Sequence, residues 1–422
     1  MQITAAWDSR YEKKAIVLLC LGFGLVGLDR FMIMPLFPVI QRALHLSYRD
    51  LGLVTGALSI SWGIAALVAS RISDRIGHRQ VLVVSLLVFS LLAGLSGLAT
   101  SLLALVAIRA VMGLAEGAFT PSSLAATVEA AKPQRHGLML GVQQAAMPLF
   151  GMALAPILAT QLLNVLDWRY AFLIVVPPGL LVAWAMSRII RNPVTVKGAS
   201  SATRRADPTP EAHRLPSVYS YRNVRLNILG MFCWLTCLNV LTAMMPSYLI
   251  DGLHYGMQQM GFVLSAMGLG CALGSFVLLG LSDRLGRKTV LLGSAGATAL
   301  AVAALSQVSS PGWVFIFLAI ACFFNFGALT LTTGPLSAES VPPALVASAC
   351  GVAVGFGEIF GGGVAPMLAG MVASQWGIGH IFALAIAAMV IGLVIASLLR
   401  ETTPETAEVQ LVAEMPPGVP GE

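Results

Sequence analysis

Ser73-Asp74-Arg75-Ile76-Gly77-His78-Arg79 and Ser282-Asp283-Arg284-Leu285-Gly286-Arg287-Lys288 are one short polar loop written twice. Their aspartates are 209 residues apart (283 − 74), close to half of the 422-residue chain, and Gly52 and Gly261 repeat that offset. A duplicated loop at half-chain spacing predicts an internal repeat, with two related halves meeting at a central interface.

The flanks of these loops are apolar. The chain is 57% hydrophobic and only 10% charged, with a mean hydropathy of +0.84. A soluble chain carries roughly a quarter charged residues, so most of this surface does not face water. Apolar runs fall near residues 15–40, 51–72, 80–100, 103–128, 137–163, 169–190, 226–250, 258–282, 289–307, 312–336, 345–373 and 379–399. Each approaches the ~20 residues that cross a hydrocarbon core as helix. The predicted fold is an all-α membrane protein with twelve transmembrane helices in two pseudo-symmetric six-helix bundles. The halves are 1–190 and 225–400, joined by a polar, basic linker over 191–224 and followed by an acidic, Pro-rich tail over 401–422.

Net charge is +6, and in a membrane chain the placement of Lys and Arg reports topology rather than nucleic-acid binding. Arg42, Arg49 and Arg169 fall on one side, and Arg30 and Arg109 lie within helices. The remaining basic residues occupy the termini, the central linker and the alternate loops, which predicts both termini in the cytoplasm. The N-terminal stretch shows no signal-type cleavage site, so the first helix is read as an uncleaved anchor of a multi-pass inner (plasma) membrane protein. All six cysteines lie inside apolar runs, without metal-ligand spacing, and are read as packing residues.

At the two loops the chain resembles the major facilitator superfamily, whose signature G-x-x-x-D-R-x-G-R-R is matched twice in spacing. Ser70 and Leu279 stand where glycine is usual, and His78 replaces a basic residue. Further matches are Arg109-x-x-x-Gly113, Pro133-x-Arg135-x-Gly137 and Trp168-Arg169-Tyr170-Ala171-Phe172. Within that superfamily, Leu28-Asp29-Arg30 and Gly113-Leu114-Ala115-Glu116-Gly117-Ala118-Phe119-x-Pro121 resemble the organic anion:cation symporters. The resemblance implies the major facilitator fold, a monomer, proton handling by Asp29 and Glu116, and an anionic substrate on Arg30. Where relatives carrying sugar acids often place polar residues in helix 5, this chain has Ala145, Ala146 and Met147, which implies a smaller or less hydroxylated solute.

The residues themselves point the same way. Asp29, Arg30, Arg109, Glu116 and Glu358 lie deep within helices, and each costs about 2.5–3.5 kcal/mol at a helix centre on insertion scales. They must therefore pair or line a wet cavity. Arg109 and Glu116 are two turns apart on one face, continued by Thr120, and Asp29 reaches Arg109 if helices 1 and 4 touch. One reading is a static neutral network. The other is that protonating Asp29 and Glu116 leaves two guanidiniums for a carboxylate, so that proton and anion loading favour one another. Glu358, among the glycines of helix 11, has no basic partner in its own half. It is either protonated at rest or meets Arg30 or Arg109 across the cavity, and it joins Asp29 and Glu116 as a proton-coupling candidate.

The second half replaces ionisable groups with amides: Asn325 stands at the equivalent of Glu116, and Asn239 within one residue of the equivalent of Asp29. These two, with Gln143, Gln144 and Tyr248, complete the substrate-contact candidates beside Arg30 and Arg109; Thr330 is a further contact, and a packing role for the asparagines is the alternative. Asp74, Arg75, Arg79, Asp283, Arg284 and Arg287 are expected to gate the cytoplasmic side, with Glu129 and Glu339 joining their networks. No nucleotide motif is present, so no cofactor and no ATP drive are expected, and no residue set binds metal. The predicted function is proton-coupled symport of a small organic anion, a carboxylate, by alternating access. The partners are then protons, the solute and the lipid bilayer. An exporter of amphipathic compounds or an anion exchanger is the alternative, and a membrane enzyme or receptor would need a catalytic constellation or large extramembrane domain.

Overall fold

The computed structural model describes residues 8–132, 135–191, 217–342 and 345–401, apart from the side chains of 69–75 and 347. Most of the expected linker and of the tail lies outside the described residues. Among the described residues, twelve helices are long and apolar enough to cross a membrane: α1 (Ser9–Leu44), α2 (Tyr48–Ile76), α3 (His78–Ser96), α4 (Leu102–Ala130), α5 (His136–Leu162) and α6 (Trp168–Ile189) form the first half. The second half holds α7 (Arg222–Gly252), α8 (Met257–Leu285), α9 (Arg287–Leu305), α10 (Pro311–Leu336), α11 (Ser348–Trp376) and α12 (Ile378–Leu398). The described termini therefore lie on one face of the bundle.

Local chemistry starts several helices. The Asp8 carboxylate accepts from the Tyr11 and Arg10 amides at 3.1 Å each, and these bonds, that from Tyr11 foremost, hold its pKa below the usual aspartate value. Ser101 caps α4 through the Ala104 amide, and Asp167 caps α6 through the Arg169 amide. The duplicated loop becomes a duplicated turn: Gly77 and Gly286 both adopt φ near 93°, a conformation open to glycine without strain.

Within each half the helices interlock through small residues, since lipid supplies no hydrophobic force between helices and close packing must do so. Where α4 crosses α2, a Cβ on Gly113 would lie 2.2 Å from both the Leu58 carbonyl and Ser61 Oγ. The equivalent crossing of α8 with α10 places Gly274 on α8 instead, 2.0 Å from the Phe323 carbonyl by the same measure. The repeat is thus kept in architecture but not in detail.

The halves meet along α2 with α11, α5 with α8, and α1 with α7. In mid-span, α5 and α11 each widen into a π-type stretch, over Leu149–Leu154 and Glu358–Val364, which begin at positions separated by the repeat offset. Such insertions disturb the regular ladder and recur at functional sites. Here both stretches lie on the seam between the halves.

Gly113→Ala should destabilise the protein by about 1–3 kcal/mol through overpacking, seen as a lower thermal unfolding midpoint in detergent. Gly280→Ala, at a position where a Cβ meets nothing within 4 Å, should leave the midpoint in place. Equal midpoints for the two variants would rule out a tight α2–α4 crossing.

Candidate functional site

The site begins with a break in α1. Its helical ladder is interrupted at Met32, between Phe31 and Ile33, and Pro35 and Pro38 follow. Arg109 of α4 fills part of the gap: its Nη1 donates to the carbonyls of Asp29 at 3.1 Å and Arg30 at 3.3 Å. The expectation that Arg109 would reach Asp29 is met at the backbone rather than at the carboxylate. Arg109 itself is 1% exposed, and its Nε and Nη2 have no partner among the described residues.

Arg30 turns the other way, towards the second half. Its Nη2 donates to Glu358 Oε2 at 2.7 Å and to Ser59 Oγ at 3.0 Å, while Phe31 and Trp62 carry their rings within 5.7 Å of the guanidinium carbon. Of the two possibilities open for Glu358, the structure shows the ion pair across the halves. The glycine run of α11 makes room for it, because a Cβ on Gly362 would lie 2.5 Å from Glu358 Oε2.

Asp29 and Glu116 are buried with both carboxyl oxygens unpartnered among the described residues. Glu116 nonetheless lies within electrostatic reach of Arg30, Arg109 and Glu358, and Asp29 within reach of Glu116 and Arg109. The five intramembrane ionisable residues therefore form one cluster. Thr55, Ser59, Asn239, Arg30 and Arg109 are the polar lining of a cavity of about 10 Å³, closed by Ile33, Met34, Leu58, Ala243 and Pro366. That volume is about one water-sized sphere, so solute entry requires the halves to move apart.

The remaining candidates are scattered. Asn239 lines the cavity and is held by its Nδ2 bond to the Leu235 carbonyl. Asn325 is carried away from it, with its amide against Met389 of α12 at 3.6 Å. Gln143 accepts from Thr127 Oγ1 at 2.7 Å inside the first half, and the neighbouring Gln144 is half-buried. Tyr248 lies near the face opposite the termini, edge-on to Phe382 at 4.8 Å, in a separate open recess with Trp376 and His380. Thr330 bonds back to the Gly327 carbonyl of its own helix. Thr55 and Ser59 are cavity-lining residues that the sequence reading missed. Their four-residue spacing inside an apolar helix, beside Gly52, Gly56 and Gly63, was the available signal.

The loop residues hold each half together on the terminus-bearing face. Arg287 pairs with Asp283 and with Glu339 at 3.1 Å, and bonds Ser282 Oγ at 2.6 Å. Arg79 donates to the Ser187 carbonyl, and His78 lies 3.3 Å from Glu129. These contacts stay within one half. Arg284 is exposed, and the side chains of Asp74 and Arg75 lie outside the described residues. The halves are instead tied at the opposite face, where Tyr48 donates to Asp251 at 2.7 Å and the Arg49 amide to Ser374 Oγ at 3.2 Å.

Among the described residues, twelve helices fit to cross a membrane, in two repeated halves with charged groups at their seam, have the architecture of a membrane transporter. The Major Facilitator Superfamily model matches residues 19–357 and 228–418, and the chain belongs to that family. It is 25% identical to a hexuronate transporter of Bacillus subtilis over 293 residues, 67% of each protein. It is 27% identical to a gentisate transporter of Corynebacterium glutamicum over 352 residues, 81% of this chain and 78% of the relative. In fold it is similar to an inward-facing, unoccupied bacterial homologue of the human lysosomal transporter Spinster. That match has a TM-score of 0.75 at 17% identity and covers 98% of this chain and 100% of the other. The protein is a membrane transporter and not an enzyme.

Arg30→Ala and Glu358→Ala should each destabilise by about 3–5 kcal/mol, because either change strands a buried charge. The double variant should cost clearly less than the two singles together. Thermal unfolding of all four proteins in one detergent measures this, and strict additivity would mean that the two side chains do not pair.

Proposed function

We propose that this transporter carries a small organic anion, a carboxylate, together with protons, in a bacterial plasma membrane with both termini in the cytoplasm. The observation that carries the reading is the chemistry of the seam. Two buried guanidiniums with unused donors lie beside two buried carboxyls with no donor. A spare guanidinium fork suits a carboxylate, and a carboxyl buried without a donor is a natural proton carrier in a membrane. The relatives named for hexuronate and gentisate support an acid substrate. The basic terminus-bearing loops support cytoplasmic termini.

Charge neutrality gives the reading a stoichiometry. Arg30 and Arg109 are two positive groups, and Asp29, Glu116 and Glu358 three acidic ones. Dry surroundings penalise net charge steeply, so the empty site is neutral when one carboxyl holds a proton. A monocarboxylate restores neutrality on entry only if a second carboxyl is protonated. One proton then accompanies each carboxylate charge, and loading either strengthens the other. With both ligands gone or both bound, the halves rock about the α2–α11 and α5–α8 seams. The Tyr48–Asp251 and Arg49–Ser374 contacts join the halves at the face opposite the termini, which on this reading is the outer face, held shut.

Proteoliposomes offered radiolabelled gentisate and glucuronate should accumulate at least one acid when an inward proton gradient is imposed. A potassium diffusion potential imposed without a pH gradient should drive little uptake. Glu116→Gln should lose gradient-driven accumulation and keep counterflow. No acid-dependent uptake, or extrusion of hydrophobic cations instead, would return the seam charges to a structural role.

A further inference from the structure

We propose that Glu358 is a built-in competitor of the transported anion: its carboxylate occupies Arg30 in the empty transporter, and an incoming carboxylate must displace it. The inference rests on the anion reading above and adds to it the group that sets apparent affinity.

The geometry of the guanidinium carries the argument. Glu358 uses one oxygen on one nitrogen, Oε2 on Nη2 at 2.7 Å. Nη2 is shared with Ser59. Nη1 is buried and has no partner among the described residues, although Arg30 lines the cavity at the seam. An arginine fork is satisfied best by a carboxylate that takes two nitrogens at once. The resident pair is therefore half-made, and a free carboxylate entering the cavity has a better fit to the same group than Glu358 does.

Glu358 is also placed to yield. It begins the π-type stretch of α11, where the regular helical ladder is already interrupted. Gly361, Gly362 and Gly363 follow it, packed against Phe232, Ser59 and Ile60. Glu358 belongs to the second half and Arg30 to the first, so releasing the pair also removes a bond that ties the halves at their centre. An anion that replaces Glu358 thereby loosens the seam through which the cavity must open.

An internal competitor lowers apparent affinity by the fraction of molecules in which it is bound. If the Arg30–Glu358 pair is formed in about nine molecules of ten, removing it tightens solute binding roughly tenfold. A residue with a merely structural role would weaken binding or leave it unchanged, so the sign of the effect decides between the two.

The test is equilibrium binding of radiolabelled gentisate and glucuronate to the full-length protein in detergent, comparing wild type, Glu358→Gln and Glu358→Asp. Glu358→Asp keeps the charge on a side chain one methylene shorter, and it serves if Glu358→Gln does not fold. The expected result is a dissociation constant roughly tenfold lower for Glu358→Gln, with Glu358→Asp between it and wild type. Equal or weaker binding by the variants, while the wild type still takes up acid, overturns the competitor role alone. No binding of either acid by any of the three proteins overturns both this inference and the anion reading.

Discussion

A charged side chain in hydrocarbon persists only when its field is answered nearby, and that constraint organises the centre of this transporter. Arg30 is answered by Glu358 from the opposite half, and Arg109 by two backbone carbonyls that a break in α1 leaves within its reach. The two arginines solve one problem differently. The Arg109 contacts lie inside the first half and fix how α4 meets α1. The Arg30 contact crosses the seam, so it exists only while the halves are close.

Everything around these groups serves that arrangement. Gly113 lets α4 approach α2, and on α2 Ser59 accepts from Arg30. Where the ladder of α1 is interrupted around Met32, the Asp29 and Arg30 carbonyls accept from Arg109. The glycines after Glu358 clear the space its carboxylate occupies. A membrane helix cannot spare backbone hydrogen bonds cheaply, so these irregularities survive where neighbouring side chains restore the lost bonds.

The polar contacts divide the molecule by depth. On the terminus-bearing face, arginines of the repeated loops bind partners within their own half, including the Arg287–Glu339 pair. At the opposite face and at the centre, Tyr48–Asp251, Arg49–Ser374 and Arg30–Glu358 join the two halves. Rigid halves tied at one end by a few breakable bonds are the mechanical requirement of alternating access. The repeat supplies the rigid halves, and departures from the repeat supply the differences between them.

The sequence by itself determined the twelve spans, the two halves and the identity of the buried charges, because hydropathy over ~20 residues and the cost of intramembrane charge are properties of the chain. The duplicated loop located the repeat, and the offset placed Asn325 opposite Glu116. It did not show that Asn325 packs against Met389 away from the cavity, or that Tyr248 lies in a separate recess. Equivalence by repeat is a statement about backbone position, whereas a side chain's partner depends on the rotation and tilt of neighbouring helices. Pairing was therefore decided only by the tertiary structure. The sequence left Glu358 between a proton and either of two arginines, and helix packing chose Arg30 because α11 lies against α2 at the depth where α1 breaks. Ser59 entered the site for the same reason: helix packing, not its place in the sequence, brings its hydroxyl beside the Arg30 guanidinium.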